Sequence, residues 1–310
     1  MLKVVYILAH SRSGSTLLAR MLGQVESWAC VGEVRYLWRR GMVENQRCGC
    51  GERFSDCAFW SAVTREAFGQ VDQSTASDMA RLLRDADRVW RMGRLGFGRL
   101  GRLEPGERVS AALQLLSRLY TAVQRVSGSS VIVDSSKSPS YGYLLGLTPG
   151  IQVHLVHLVR DCRGVAYSRL RRNARGELHW RSENLLVART ALEWAAVNGL
   201  SHLLKSALPY TLVKYEDFVS DPQQTLQRIM SDAHQPVPSL SFLDTSSVLL
   251  GTDHIVSGNQ MRFESGWIPL RPDEEWRRRL TRRQLIILNA ITWPWLARYG
   301  YWGAASEGPA

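Results

Sequence analysis

Apolar residues run unbroken from Val4 to Ala9 and return at helical spacing between Leu17 and Leu22, with a short polar segment between. That order predicts a short buried strand, a tight turn and a helix. Val131–Val133 and Val153–Val159 are further apolar runs of strand length, and Thr211–Val213 begins another. Helical periodicity is expected over Ser61–Arg91, with Leu82, Leu83, Ala86 and Trp90 on one face, and over Ala111–Val126. It is also expected over Asn184–Leu208, with Leu185, Ala188, Leu192, Ala195 and Leu203 in register. Strands alternating with helices predict an α/β fold whose central, mostly parallel sheet of about four to five strands is flanked by helices. No repeat or long linker divides the 310 residues, so one domain over 1–310 is expected. It carries an irregular Cys- and Arg-rich insertion at about 31–60 and a mobile Gly/Arg/Leu connection at about 92–106. That connection repeats a small–basic–apolar triplet, and a substrate lid or a membrane-surface patch is the sharper reading of it.

The polar segment after the first run is Ser11-Arg12-Ser13-Gly14-Ser15-Thr16. Backbone N–H groups and hydroxyls at the start of a helix make an anion cradle, so a P-loop-like three-layer arrangement is expected. A nucleotide-triphosphate loop places lysine directly after its last glycine. Here Ser15 holds that position, and the cation, Arg12, precedes Gly14 by two. The loop suits a 5′-phosphate bearing one small anionic group rather than a γ-phosphate. A second strand–helix junction follows Val159: Arg160 leaves the strand, Asp161 is placed to cap the helix, and Ser168 lies about two turns on. In open α/β sheets the carboxyl edge is where ligands bind.

Together these segments resemble the PAPS-dependent sulfotransferases, in a bacterial or carbohydrate-type branch with an R-S-G-S-T loop. The resemblance implies that Arg12, Ser13, Gly14, Ser15 and Thr16 bind the 5′-phosphosulfate of 3′-phosphoadenosine 5′-phosphosulfate (PAPS). It implies that Arg160 and Ser168 bind the 3′-phosphate, and that adenosine 3′,5′-bisphosphate (PAP) is the product. The Tyr215-Glu216-Asp217-Phe218 run ending at Asp221-Pro222 is similar to the family as well, with Pro222 opening a helix. By the same likeness Lys137 is the cation for the bridging oxygen, Glu33 the acceptor's base, and Arg262 the cation of a late loop over the nucleotide. His10 and His254 compete with Glu33 for the role of base, and a surface Glu33 paired with Arg35 is the plain alternative.

The net charge of +11, mostly arginine, suits a cofactor with several negative charges as well as it suits nucleic acid. No zinc finger, RNP motif or regular basic helix is present, so nucleic acid is not expected as a partner. The partner implied is a small-molecule, glycan or lipid acceptor, with weak membrane-surface contact at most. Trp28, Tyr36, Trp38, Trp60 and Trp180 could line its cleft or simply fill a core. The N-terminus runs straight into a strand that the loop requires, which argues against a removable signal peptide; a cytoplasmic location is expected. Of five cysteines, Cys48, Cys50 and Cys57 cluster in a Gly-rich stretch. They read as reduced thiols with no metal. Zinc would need a fourth ligand such as Cys30 or a histidine, and a local disulfide is the remaining option. Two other functions stay open at this point: a P-loop kinase or nucleotide phosphotransferase, and a non-catalytic basic anion-binding protein.

Overall fold

The computed structural model describes residues 1–88 and 106–302. Five parallel strands, β1 (Leu2–Ala9), β2 (Trp28–Gly32), β3 (Val131–Lys137), β4 (Ile151–Val159) and β5 (Tyr210–Lys214), form one sheet in the order β2-β3-β1-β4-β5. The α/β expectation holds. β1 shows why this sheet is covered on both faces. Its Leu2, Val4, Tyr6 and Leu8 enter one apolar cluster while Val5, Ile7 and Ala9 enter another, the period-two alternation of a strand. The helix Glu107–Ser127 packs into the first cluster, and the helices Ser15–Gly23 and Pro222–Asp232 into the second.

Capping follows the sequence closely. Asp161 accepts from the N–H of Arg163 at 2.9 Å to open the helix Cys162–Ala174. Asp221 accepts from the N–H of Gln224 at 2.9 Å, with Pro222 in the first turn of its helix.

Three expectations need correction. The insertion at about 31–60 begins inside β2, which is an edge strand of the main sheet, and continues through helical turns at Val34–Tyr36 and Leu37–Val43. The Ser61–Arg91 helix is two helices, Ala58–Phe68 and Gln73–Ala86, divided at Gly69 (φ 72°) and restarted by the Asp72 cap. The helix Glu183–Leu203 turns a different face inward, leaving Leu185, Leu192 and Leu203 exposed while burying Leu186, Val187, Ala191 and Trp194. The connection at about 92–106 lies almost wholly outside the described residues.

A second, antiparallel pair, β6 (Ser247–Leu250) and β7 (Gly266–Pro269), is joined by a long loop. Arg20, fully buried on the helix Ser15–Gly23, grips both ends of that loop. It pairs with Asp253 at 2.8 Å and donates to the carbonyls of Gly251, Met261 and Glu264 at 2.6–2.7 Å. Removing one member of so buried a pair strands the other charge, typically at a cost of about 3–5 kcal/mol.

Candidate active site

Because all five strands are parallel, their carboxyl ends meet along one edge, and nearly every candidate residue leaves the sheet there. β1 ends into the Arg12–Gly14 turn, β2 into Glu33, β3 in Lys137, β4 into Arg160 and β5 into Tyr215.

Gly14 caps the helix Ser15–Gly23 in the left-handed region (φ 87°), with no side chain over the first-turn N–H groups and no acid among them. Those N–H groups have no partner within the helix, which gives this turn the electrostatics of an anion cradle. A methyl group at Gly14 would lie 2.6 Å from the ring of Tyr215, so glycine is required by space as well as by φ. Ser13 is buried and its Oγ has no hydrogen-bond partner. A polar atom left bare beside a helix N-terminus fits a site built for an anionic group.

The Arg12 Nε donates to Ser168 Oγ at 2.9 Å, and Arg160 donates to the carbonyl of Arg12 at 3.1 Å. The two motifs therefore form one cationic site. Burial, then the charges of Arg172, Arg160 and Arg171, pull the Arg12 guanidinium below its ordinary range. Arg160 and Arg171 share the Asp273 carboxylate and Arg172 pairs with Glu177, whereas Arg12 bonds the neutral hydroxyl of Ser168. Arg160 stacks 4.5 Å over Tyr215 and holds Asp273 at 3.1 Å, a carboxylate shared with Arg171 at 2.9 Å.

Lys137 and Glu33 meet directly in an ion pair. Strand order explains it: β2 and β3 are neighbours, and Lys137 lies beside Leu8 of β1. Arg35, the alternative partner of Glu33, pairs with Asp87 instead, which also accepts from Ser138 and Ser140. That network fixes the turn following Lys137, whose own φ is 69°.

Asp134 sits under the same turn. Its carboxylate accepts from the N–H of Ser136 at 2.7 Å and from the hydroxyl of Tyr120. Burial is the largest influence on it and pushes the carboxyl up to about 6. A carboxyl in an unfolded chain titrates near 3.9, so the folded state holds the extra proton between the two values. Asp134 should therefore favour folding fully below about pH 4 and lose that advantage as pH rises through 6, about 3 kcal/mol in all. Urea unfolding of Asp134→Asn and the parent at pH 4 and pH 7 checks it. Parallel pH profiles would refute the assignment.

The β6–β7 loop closes the site. Gly258 lies where a Cβ would be 3.4 Å from Thr16 Oγ1 and 3.6 Å from Glu33 Oε1. Arg262 donates to the carbonyl of Gly258 at 2.7 Å and keeps a buried Nε without a partner. Burial lowers the pKa of this guanidinium, with the charge of Glu33 acting in the opposite direction. Arg40, stacked 4.2 Å over Tyr36, donates to Ser257 of the same loop at 2.5 Å.

The histidine candidates fare differently. His10 is buried, with Nδ1 2.9 Å from the carbonyl of Ser11 and Nε2 3.9 Å from Glu193. His254 stands among the cysteines, with Nδ1 3.3 Å from Cys57 Sγ. Trp28, Trp38 and Trp60 fill the core, whereas Tyr36 and Trp180 are half-buried beneath arginines. Sequence reasoning did not single out Arg20, Arg40 or Asp273. An arginine inside the apolar run Leu17–Leu22 was the available signal for Arg20.

The sulfotransferase family model matches residues 5–238. A search among curated sequences finds no match. Among solved structures, the chain is similar to the sulfotransferase domain from the curacin biosynthetic pathway, with TM-score 0.52 and 17% identity over 97% of this chain and 98% of that one. It also matches a sulfotransferase from Mycobacterium avium, with TM-score 0.48 and 15% identity over 96% of this chain and 76% of that one. At these identities the first likeness speaks to the fold.

Proposed function

The chain belongs to the sulfotransferase family, and from that premise we propose that it transfers a sulfuryl group from PAPS, in line, to a hydroxyl or amine of a small-molecule, carbohydrate or lipid acceptor. One observation carries the reading of the donor. The hydrogen bonds Arg12–Ser168 and Arg160–Arg12 unite two motifs, remote in sequence, into one cationic site beside an uncapped helix N-terminus. A nucleotide with phosphate at both 3′ and 5′ positions matches those two anion-binding halves.

PAPS supplies the activated sulfuryl group, whose departure leaves PAP. Arg12, with the N–H groups of Ser15 and Thr16, holds the 5′-phosphate as it gains charge. Ser13 adds its unpartnered hydroxyl. Arg160 and Ser168 hold the 3′-phosphate, and Arg262 covers the nucleotide from the β6–β7 loop. Lys137 reaches the oxygen that becomes negative as the S–O bond breaks, and Glu33 takes the acceptor's proton. Their mutual ion pair keeps both groups at one point of the sheet edge, so acceptor and leaving oxygen are positioned from adjacent strands.

Purified protein given PAPS and a panel of acceptors should add one sulfuryl mass to at least one class of acceptor. PAP should also raise the unfolding temperature far more than AMP or ATP–Mg, since at a hundredfold excess over Kd a ligand adds about 2.7 kcal/mol. Preference for ATP–Mg would point to a nucleotide phosphotransferase instead. Equal response to every anion, fading with salt, would leave only a basic anion binder.

A further inference from the structure

Cys48, Cys50, Cys57 and His254 each turn one ligand-type atom toward a common centre, and all four atoms lie within 4.8 Å of one another. Three come from the segment after β2, while His254 comes from the β6–β7 loop. The sulfur separations are 3.7 Å for Cys50–Cys57 and 3.6 Å for Cys48–Cys57. Those values are far too long for a disulfide, and all five cysteines are free. They do match a tetrahedron around zinc, where Zn–S bonds of about 2.3 Å set sulfurs about 3.8 Å apart. The same tetrahedron places a histidine nitrogen about 3.5 Å from each sulfur. His254 Nδ1 is 3.3 Å from Cys57 Sγ and 4.0 Å from Cys48 Sγ.

The histidine is held in place from outside the cluster. Trp60 donates its indole N–H to the His254 carbonyl at 2.8 Å, and Phe59 stacks on the imidazole at 4.8 Å and 12°. Together they fix the backbone and the ring plane of His254, and so the direction of its Nδ1. Gly49 also has a role: its N–H donates to the Ile255 carbonyl at 2.9 Å, and a Cβ there would lie 2.5 Å from the carbonyl oxygen of Asp253. The two segments are thus in backbone contact at the point where the ligands converge.

We infer that Cys48, Cys50, Cys57 and His254 bind one zinc ion, a closed structural site that fastens the β6–β7 loop to the cysteine segment. This departs from the metal-free expectation, and it changes the histidine's role from candidate base to ligand. The fourth ligand is neither Cys30, which lies in β2 against Gly23, nor a residue near the cysteines in sequence. The site holds the loop from one side as Arg20 holds it from the other. Four residues beyond His254, Gly258 sits over Thr16 and Glu33 and accepts from Arg262. The ion would therefore fix the closing loop without touching substrate.

The test begins with the unmodified full chain, expressed with zinc in the medium and purified without chelators. Atomic emission should find about one zinc per chain, released by a mercurial that titrates three thiols. Cobalt substitution should give the visible absorption of tetrahedral thiolate-bound cobalt. Cys57→Ser and His254→Ala should each lower zinc well below stoichiometric. Hydrogen exchange across 253–262 should speed up by about tenfold or more in zinc-stripped protein, since metal binding and local order are coupled. Zinc under about a tenth per chain with no cobalt spectrum overturns the inference, as does a disulfide among the three cysteines. Full zinc retained by both variants overturns it too. These readouts need no sulfuryl transfer, so the metal site and the proposed reaction stand or fall separately.

Discussion

Glu33→Gln is expected to lower kcat by roughly 10²–10⁴ while leaving the affinity for PAPS and PAP nearly intact. The amide keeps the size and much of the hydrogen bonding of the carboxylate but cannot accept a proton. It also takes the counter-charge from Lys137, so the donor Kd measured alongside kcat reports whether Lys137 has moved. Glu33 is buried at the carboxyl end of β2, next to the cradle through Gly258 and paired with Lys137. Lys137→Ala should also lower kcat, because it takes a cation from the oxygen that becomes negative in the transition state. Unlike Glu33→Gln it should weaken donor binding as well, since the ground-state phosphosulfate is already anionic. The pair thus separates by its pattern: kcat alone for one, kcat with donor Kd for the other. Measuring both constants for each variant against one accepted acceptor decides it. A Glu33→Gln enzyme with unchanged kcat would move the base to His10.

The parts of this site that could be read from the sequence are those contained in one continuous stretch. A strand, a turn and a helix follow one another around Arg12–Thr16 and again around Arg160–Ser168; local periodicity locates both, and the Asp161 cap marks the second. What depends on strand order was not readable. The Glu33–Lys137 contact exists because β2 lies beside β3, and β2 itself is five residues with a glycine at its end. Nothing in Trp28–Gly32 alternates in a way that separates it from the aromatic stretch after it. The helix Glu183–Leu203 failed for another reason. Its inward face includes Thr190, Asn198 and Ser201, polar positions that counting apolar residues passes over. Thr190 donates to the Leu186 carbonyl at 2.7 Å and Asn198 bonds His157 at 2.8 Å, so these two are buried with partners, while the Ser201 hydroxyl is buried without one. The closing loop was the least legible element. Arg20 and the segment around Cys48–Cys57 meet it from far earlier in the chain, and no local pattern links an arginine in the first helix or those cysteines to residues beyond 250.

Arg160→Ala should erase the preference for PAP over AMP. The two nucleotides differ by the 3′-phosphate, so the difference in their binding free energies isolates whatever holds that group. Truncating one partner of a buried, hydrogen-bonded charge pair typically costs about 2–5 kcal/mol, and Arg160 is buried. PAP affinity should fall by about that amount while AMP affinity, resting on the Arg12–Thr16 cradle, changes little. Ser168→Ala should reduce PAP affinity less, because a neutral hydroxyl contributes less than a guanidinium. Arg160→Lys should recover only part of the loss, since an ammonium cannot present the paired donors of the guanidinium fork. The substitution also removes the stack on Tyr215 and the bond to the Arg12 carbonyl, so unfolding without ligand must be measured alongside. Asp273 keeps Arg171 as a partner at 2.9 Å, which limits the cost to the fold of losing Arg160. Calorimetric Kd values for PAP and AMP on the parent and the three variants give the result. If Arg160→Ala still binds PAP far more tightly than AMP, the 3′-phosphate is held elsewhere along the sheet edge, and Arg262 of the β6–β7 loop is the next residue to change.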